Sequence, residues 1–148
     1  MDIVSLVLSI IAILVSIVVA FVESVREYRL SRIGLEAEYF KDIYKEHLVY
    51  KIPNARGYIK FDSANKLIGS DKLIDELQQL RKDSLYFQYN NPTFYGKLKQ
   101  NIQELENYLV TNESRVFVGE DQTIAYTRIK DDIENIYRVI SKGYLGKK

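Results

Sequence analysis

Twenty consecutive residues near the start of the chain, Ile3 to Val22, carry no charge, and only Ser5, Ser9 and Ser16 among them are polar. A helix of that length rises about 30 Å, the thickness of a bilayer's hydrocarbon core. A chain of 148 residues seldom buries a helix that is apolar on every face, so the stretch reads as a membrane span. A secretory signal is the alternative. It needs a basic start, an apolar core of about 7–15 residues and a small-residue cleavage site. Val18 and Ala20 imitate such a site, but no Lys or Arg precedes the run. Arg26, Arg29 and Arg32 follow it, and basic residues mark the cytoplasmic flank. The sequence thus predicts a transmembrane helix over 1–23 and a cytosolic domain over 24–148. On this topology the sequon Asn112-Glu113-Ser114 is a turn that is never glycosylated.

The span carries a second pattern. Ser5, Ser9, Ala12, Ser16 and Ala20 follow one another at spacings of 4, 3, 4 and 4. They fall on one helical stripe, with Leu, Ile and Val elsewhere. Small residues let helix backbones approach closely in lipid, and hydroxyls bond across such contacts. The stripe predicts a homo-oligomer, with Ser5, Ser9, Ala12 and Ser16 at its interface.

Composition limits the remainder. All 21 basic residues follow the span, and Asp2 and Glu23 are the two of 20 acidic residues that precede residue 24, which leaves the domain at net +3. A duplex nucleic-acid binder is far more basic. The absence of cysteine excludes disulfides, thiol catalysis and cysteine-metal sites. The single histidine, His47, is expected at a core edge or on the surface. Gly57, Gly69 and Gly96 are isolated, so no phosphate loop is present, and no cluster of metal-ligand spacing occurs. The pattern points away from an enzyme and implies no cofactor.

Helical periodicity organises 24–148 into an all-α bundle. The first helix is expected to continue to about Tyr50, with Ile33, Ala37, Phe40, Tyr44 and Leu48 on its apolar face. Pro53 then starts a short helix limited by Gly57, and the run Tyr58 to Phe61 fits either helix or strand. Ser70 is expected to cap a helix through Gln88 with Leu73, Leu77, Leu80 and Leu85 inward. Asn91 and Pro92 restart the chain as N-cap and first helical residue. That helix runs to about Thr111 with Phe94, Leu98, Ile102, Leu105 and Leu109 inward. A loop over 113–120 follows. Asp121 or Thr123 caps a last helix, with Ile129, Ile133, Ile136 and Ile140 inward and Gly143 as its stop.

The best binding constellation is basic and aromatic. Lys51, Arg56 and Lys60 alternate with Tyr58 and Phe61, and Tyr95, Lys97 and Lys99 lie at a helix start where cations are unfavourable unless an anion visits. Phosphates need cations, and nucleobases need rings to stack on. The candidate ligand site is therefore Lys51, Arg56, Tyr58, Lys60, Tyr95, Lys97 and Lys99. Lys142, on the last helix, is expected to play no part.

The order of segments also carries a resemblance. MDIVSLVLSIIAILVSIVVAF leads into LEAEYFKDIYKEHL, then KIPNARGYIKF, LIDELQQLRKDSLYF and NNPTFY. This is similar to the small single-span membrane proteins of bacterial antiviral defence, and in architecture to the ancillary membrane effectors of type III CRISPR systems. The resemblance implies an inner-membrane effector whose cytosolic helical domain binds a cyclic oligoadenylate, oligomerises and signals to its membrane segment. A scaffold or accessory subunit that recruits a protein partner is the alternative.

The stripe is testable on its own. Replacing Ser9 and Ser16 with Leu is expected to weaken association of the chain in detergent, measured by cross-linking, because bulk separates the backbones. Val7 and Val18 changed to Leu serve as the opposite-face control. Equal association of both variants means that the stripe does not hold the assembly.

Overall fold

The computed structural model describes residues 3–113 and 115–145, with side chains for 11–31, 34–113 and 115–144. The chain is mostly helical and divides into two compact units, Met1–Tyr39 and Phe40–Lys148. Helix α1 is Ile3–Ile43. Its side chains over 11–31 are all exposed, Ile13, Leu14, Ile17 and Val18 among them. Among the described residues no helix is long and apolar enough to cross a membrane. Ser5 and Ser9, and the start of the expected span, lie outside the residues whose side chains are described. Ser16 donates its hydroxyl to the Ala12 carbonyl of its own helix at 2.9 Å.

The second unit begins at Phe40, and Phe40 and Ile43 are the first buried apolar side chains among the described residues. Here the helix does not stay α-helical. Tyr44–Lys51 is a π-helix, and the Ile52 N–H bonds to the His47 carbonyl five residues back. The cause is one residue further on. Pro53 has no N–H, and its ring clashes with the carbonyl that an α-turn would put beside it. Widening the preceding turn accommodates the ring without ending the helix. Pro53 then lies in the first turn of α2, Ile52–Arg56, with Gly57 as C-cap. The wider turn also shifts the apolar face. Phe40 and Leu48 are buried as expected, Ala37 and Tyr44 are exposed against expectation, and Ile43, His47, Ile52 and Ala55 are buried instead. Ile33 lies outside the residues whose side chains are described.

The segment of ambiguous periodicity is a hairpin. Strand β1, Lys60–Phe61, pairs antiparallel with β2, Leu67–Ile68. Asp62 closes it by accepting the N–H groups of Ala64 and Lys66 at 2.9 and 2.8 Å, the Asx-turn chemistry of a short acidic side chain. Gly69 follows at φ 80°, where a Cβ would stand 2.2 Å from the Tyr58 carbonyl oxygen. Glycine is required there. This turn, not Ser70, leads into helix α3, Ser70–Asp83, and the Ser70 hydroxyl is buried with no partner.

α3 buries Leu73, Leu77 and Leu80. It stops before Gln88: the Ser84 hydroxyl joins its own N–H on the Leu80 carbonyl at 2.7 Å, and the next backbone bonds tighten by one residue, Leu85 N–H to Lys82 and Phe87 N–H to Ser84. After this break α4, Tyr86–Asn90, turns Phe87 into the core and leaves Leu85 exposed. The Asn91 side chain then accepts the Phe94 N–H at 3.2 Å and caps α5, Pro92–Asn112. Phe94, Leu98, Ile102, Leu105 and Leu109 are all buried, as their spacing requires. Asn112 is buried too, and donates its amide to the Tyr108 carbonyl.

Helix α6, Glu120–Leu145, lies antiparallel to α5 and buries Ala125, Ile129, Ile133, Ile136 and Ile140. Gly143 does not stop it. A Cβ at Gly143 would lie 2.7 Å from Phe94 Cδ2 and 3.0 Å from Phe40 Cε1. The residue is therefore a packing glycine inside the helix. His47 is likewise deeper than expected. It is 1% exposed, with Nε2 2.9 Å from Asp83 Oδ2, and Asp83 Oδ1 accepts the Gln79 amide.

Two measurements test this packing. Gly143→Ala is expected to destabilise the fold by about 1–3 kcal/mol in denaturant unfolding. Gly96→Ala, where nothing lies within 4 Å of the new Cβ, is expected to stabilise it by about 0.5–1 kcal/mol. Equal effects would mean that the Phe94 contact is not tight. The second test uses Tyr137, which donates to the Leu48 carbonyl at 2.6 Å and whose hydroxyl is pushed up by burial to about 12. The fold holds the neutral phenol. Its contribution is full below about pH 10 and is lost towards pH 12, as the unfolded chain ionises first. Tyr137→Phe is expected to lose about 1 kcal/mol at pH 7, and the gap from wild type should close as pH rises from 10 to 12.

Candidate anion-binding site

The seven residues of the sequence-derived site occupy several places. Lys51 is paired with Glu46 at 2.6 Å. That bond raises the Lys51 ammonium and lowers the Glu46 carboxyl from their ordinary values. Arg56 is exposed and lines a cavity of about 300 Å³ beside Ile133, Tyr137 and the ion-paired Lys130 and Glu134. Tyr58 is exposed in the turn after α2, and Lys60 is exposed on β1. Phe61, read with them as a stacking ring, is half-buried against Phe117 and Tyr126 at centroid distances of 5.3 and 5.0 Å. Tyr95 is half-buried against the core, and Lys99 is exposed.

Lys97 has different surroundings. The start of α5 and the end of α6 enclose a cavity of about 410 Å³ lined by Asn91, Thr93, Phe94, Lys97, Asn101, Asn135, Arg138, Val139, Lys142 and Gly143. Three of these residues are cations, three are amides, and none is acidic. Among the described residues neither Lys97 nor Lys142 has a carboxylate partner, and Arg138 donates only to the Asn135 side-chain oxygen, at 3.2 Å. Three like charges around one concavity repel one another, and an entering anion relieves that repulsion. The size is that of a small-molecule site.

The helices position this lining through their buried faces. On α5 the core stripe includes Phe94 and Leu98, which sets Lys97 and Asn101 along one edge. On α6 Ile136 and Ile140 point inward, which sets Asn135, Arg138, Val139 and Lys142 beside them. Arg56 and Lys97 thus line different cavities, and Lys97 is joined by Lys142, the residue expected to be remote. One sequence signal marks this site. Arg138 and Lys142 are like charges at an i,i+4 spacing, which is unfavourable on a helix unless something negative sits between them.

The remaining polar groups are of structural kind. Arg81 bridges α3 to Glu106 of α5 at 3.3 Å, and burial raises the Glu106 carboxyl despite that arginine. Among the described residues no group of three or more His, Asp or Glu is arranged to hold a metal ion. Comparison with protein-family models, with curated proteins and with solved structures returns no match to this chain.

Proposed function

We propose that this chain is a membrane-tethered, homo-oligomeric sensor. Its helical domain binds an anionic, nucleotide-type second messenger, and its response is exerted on the membrane. The observation that carries the reading is the α5–α6 cavity, with Lys97, Arg138 and Lys142 on its lining and no carboxylate among the described residues there. The uncharged run Ile3–Val22 supports the tether, and the small-residue stripe supports assembly. The proposed activity is binding, without catalysis.

A route for the signal follows from the packing. Phe94 and Gly143 stand in the cavity wall, and both touch Phe40, which belongs to the last turns of α1. A ligand that draws Lys97 towards Arg138 and Lys142 changes the spacing of α5 and α6. Phe40 must follow, because tight ring contacts do not deform continuously. To act as a switch the ligand has to prefer one packing by a few kcal/mol. The scaffold reading has its own support in the exposed apolar side chains Val116, Val118 and Ile124 beside the α5–α6 connection.

Thermal melting of the full chain in neutral detergent, against a panel of linear and cyclic nucleotides, decides between the two. A ligand at 100 times its dissociation constant stabilises by about 2.7 kcal/mol, and Lys97→Ala or Arg138→Ala should remove that shift. A flat panel favours the scaffold. A cysteine added after Lys148 should be shielded from an impermeant maleimide in intact cells. Labelling there would place the domain outside and end the second-messenger reading.

A further inference from the structure

The cavity lining separates into donors and acceptors, and the balance is uneven. Lys97, Arg138 and Lys142 only donate. Asn91 commits its side-chain oxygen to the Phe94 N–H, and Asn135 commits its own to Arg138. Each keeps its amide N–H groups for a guest. Asn101 donates one N–H to the Lys97 carbonyl at 2.7 Å and keeps a second beside its oxygen. Six side chains therefore offer N–H groups, and the Asn101 oxygen and the Thr93 hydroxyl stand among them. A matching guest is rich in acceptor oxygens and carries at least two negative charges in a small volume.

The cavity offers a base no aromatic face to stack on. Among the described residues Phe94 is the only ring in its lining, and it is 6% exposed. It stands edge-on to Phe40 and to Phe87, each at 5.0 Å between centroids. A Cβ at Gly143 would stand 2.7 and 2.8 Å from Phe94 Cδ2 and Cε2, so α6 passes close along that edge. Base recognition by stacking needs an open aromatic face, and Phe94 does not present one.

We infer that this cavity binds a diphosphate-type oxyanion and recognises it by charge and oxygen atoms, without reading a nucleobase. The inference rests on the cavity being the functional site, and it narrows the ligand expected there. A phosphodiester spreads one charge per phosphate, whereas a diphosphate puts two or more within reach of all three cations. Arg138 is the central contact, because its planar fork holds two phosphate oxygens at once, while each lysine acts as a point charge.

The test is calorimetric titration of the full chain in neutral detergent with inorganic pyrophosphate, ADP, adenosine and citrate. Pyrophosphate and ADP are expected to bind within about threefold of each other, with adenosine silent and citrate weaker. Arg138→Gln should weaken pyrophosphate by about tenfold or more, and Lys82→Ala, which removes an exposed lysine of α3, should stay within about twofold. Arg138 is exposed, so its replacement leaves the core intact, and an unchanged melting temperature checks this. Short-chain phosphatidic acid separates the sources. Displacement of pyrophosphate by it supports the site with a bilayer phosphate as ligand, and no displacement supports it with a soluble one. Adenosine binding, citrate binding tighter than pyrophosphate, or indifference to Arg138→Gln overturns the inference. A cyclic nucleotide that binds where pyrophosphate does not would overturn it as well, and leave the sensor reading standing. Silence of every anion in the nucleotide panel would remove both.

Discussion

The contact between Phe94 and Gly143 is the constraint on which the second unit depends. It fixes how closely α5 and α6 approach at one end, because the helix meets the ring with no side chain between them. Phe40 and Phe87 complete the cluster, with centroids 4.4 Å apart and each 5.0 Å from Phe94. Four elements thus meet at one point: α1, α4, α5 and α6. Close-packed rings of this kind have few alternative arrangements. The cavity beside them inherits its width from the same contact, so core packing and candidate site cannot vary independently.

Charge in this unit is distributed by the same geometry. Three carboxylates between or along the helices have partners: Asp83 with His47, Glu106 with Arg81, Asp132 with Arg128. At the end of α6 this pairing stops. Arg138 and Lys142 succeed each other on one face, and Lys97 comes to meet them from α5. A surface at near-neutral net charge has enough acidic residues to neutralise such a cluster, and here they lie elsewhere. That contrast distinguishes the cavity from an ordinary solvated helix face, where exposed ion pairs contribute little.

How far the sequence spoke for itself depended on the length of each pattern. The stripes of α5 and α6 are long and regular, and every core residue read from them is buried. Asn91-Pro92 was legible because a cap and a proline act locally. The π-helix was not, because its cause lies at Pro53 and its effect appears earlier, in the swap of Tyr44 for Ile43. The hairpin has two residues per strand, too few for alternation, though Asp62 and Asn65 hold its turn chemistry. Gly143 read as a stop because a close ring from another helix leaves no trace in local sequence. The seven-residue site followed charge along the chain, whereas the cavity is built across two helices that are far apart in sequence. The assignment to membrane and ligand rests on Ile3–Val22 and on the cavity lining, and remains our proposal.

The π-helix also sets a counting rule for this chain. In an α-helix each residue turns the face by about 100°. The Tyr44–Lys51 segment has absorbed that increment, so Phe40 and Ile43 on one side and Ile52 and Ala55 on the other all point into one core. Loss of a single residue from this stretch would restore ordinary helical winding and return the Pro53 ring to its clash with the turn before it. Gain of a residue would turn the two sides about 100° out of phase. Sequence drift here can change residue types freely at Lys45, Val49 and Tyr50, which are exposed, but it cannot change their number. In lineages carrying this fold, gaps should fall at the hairpin turn or the α5–α6 connection, and the spacing from Phe40 to Pro53 should stay constant.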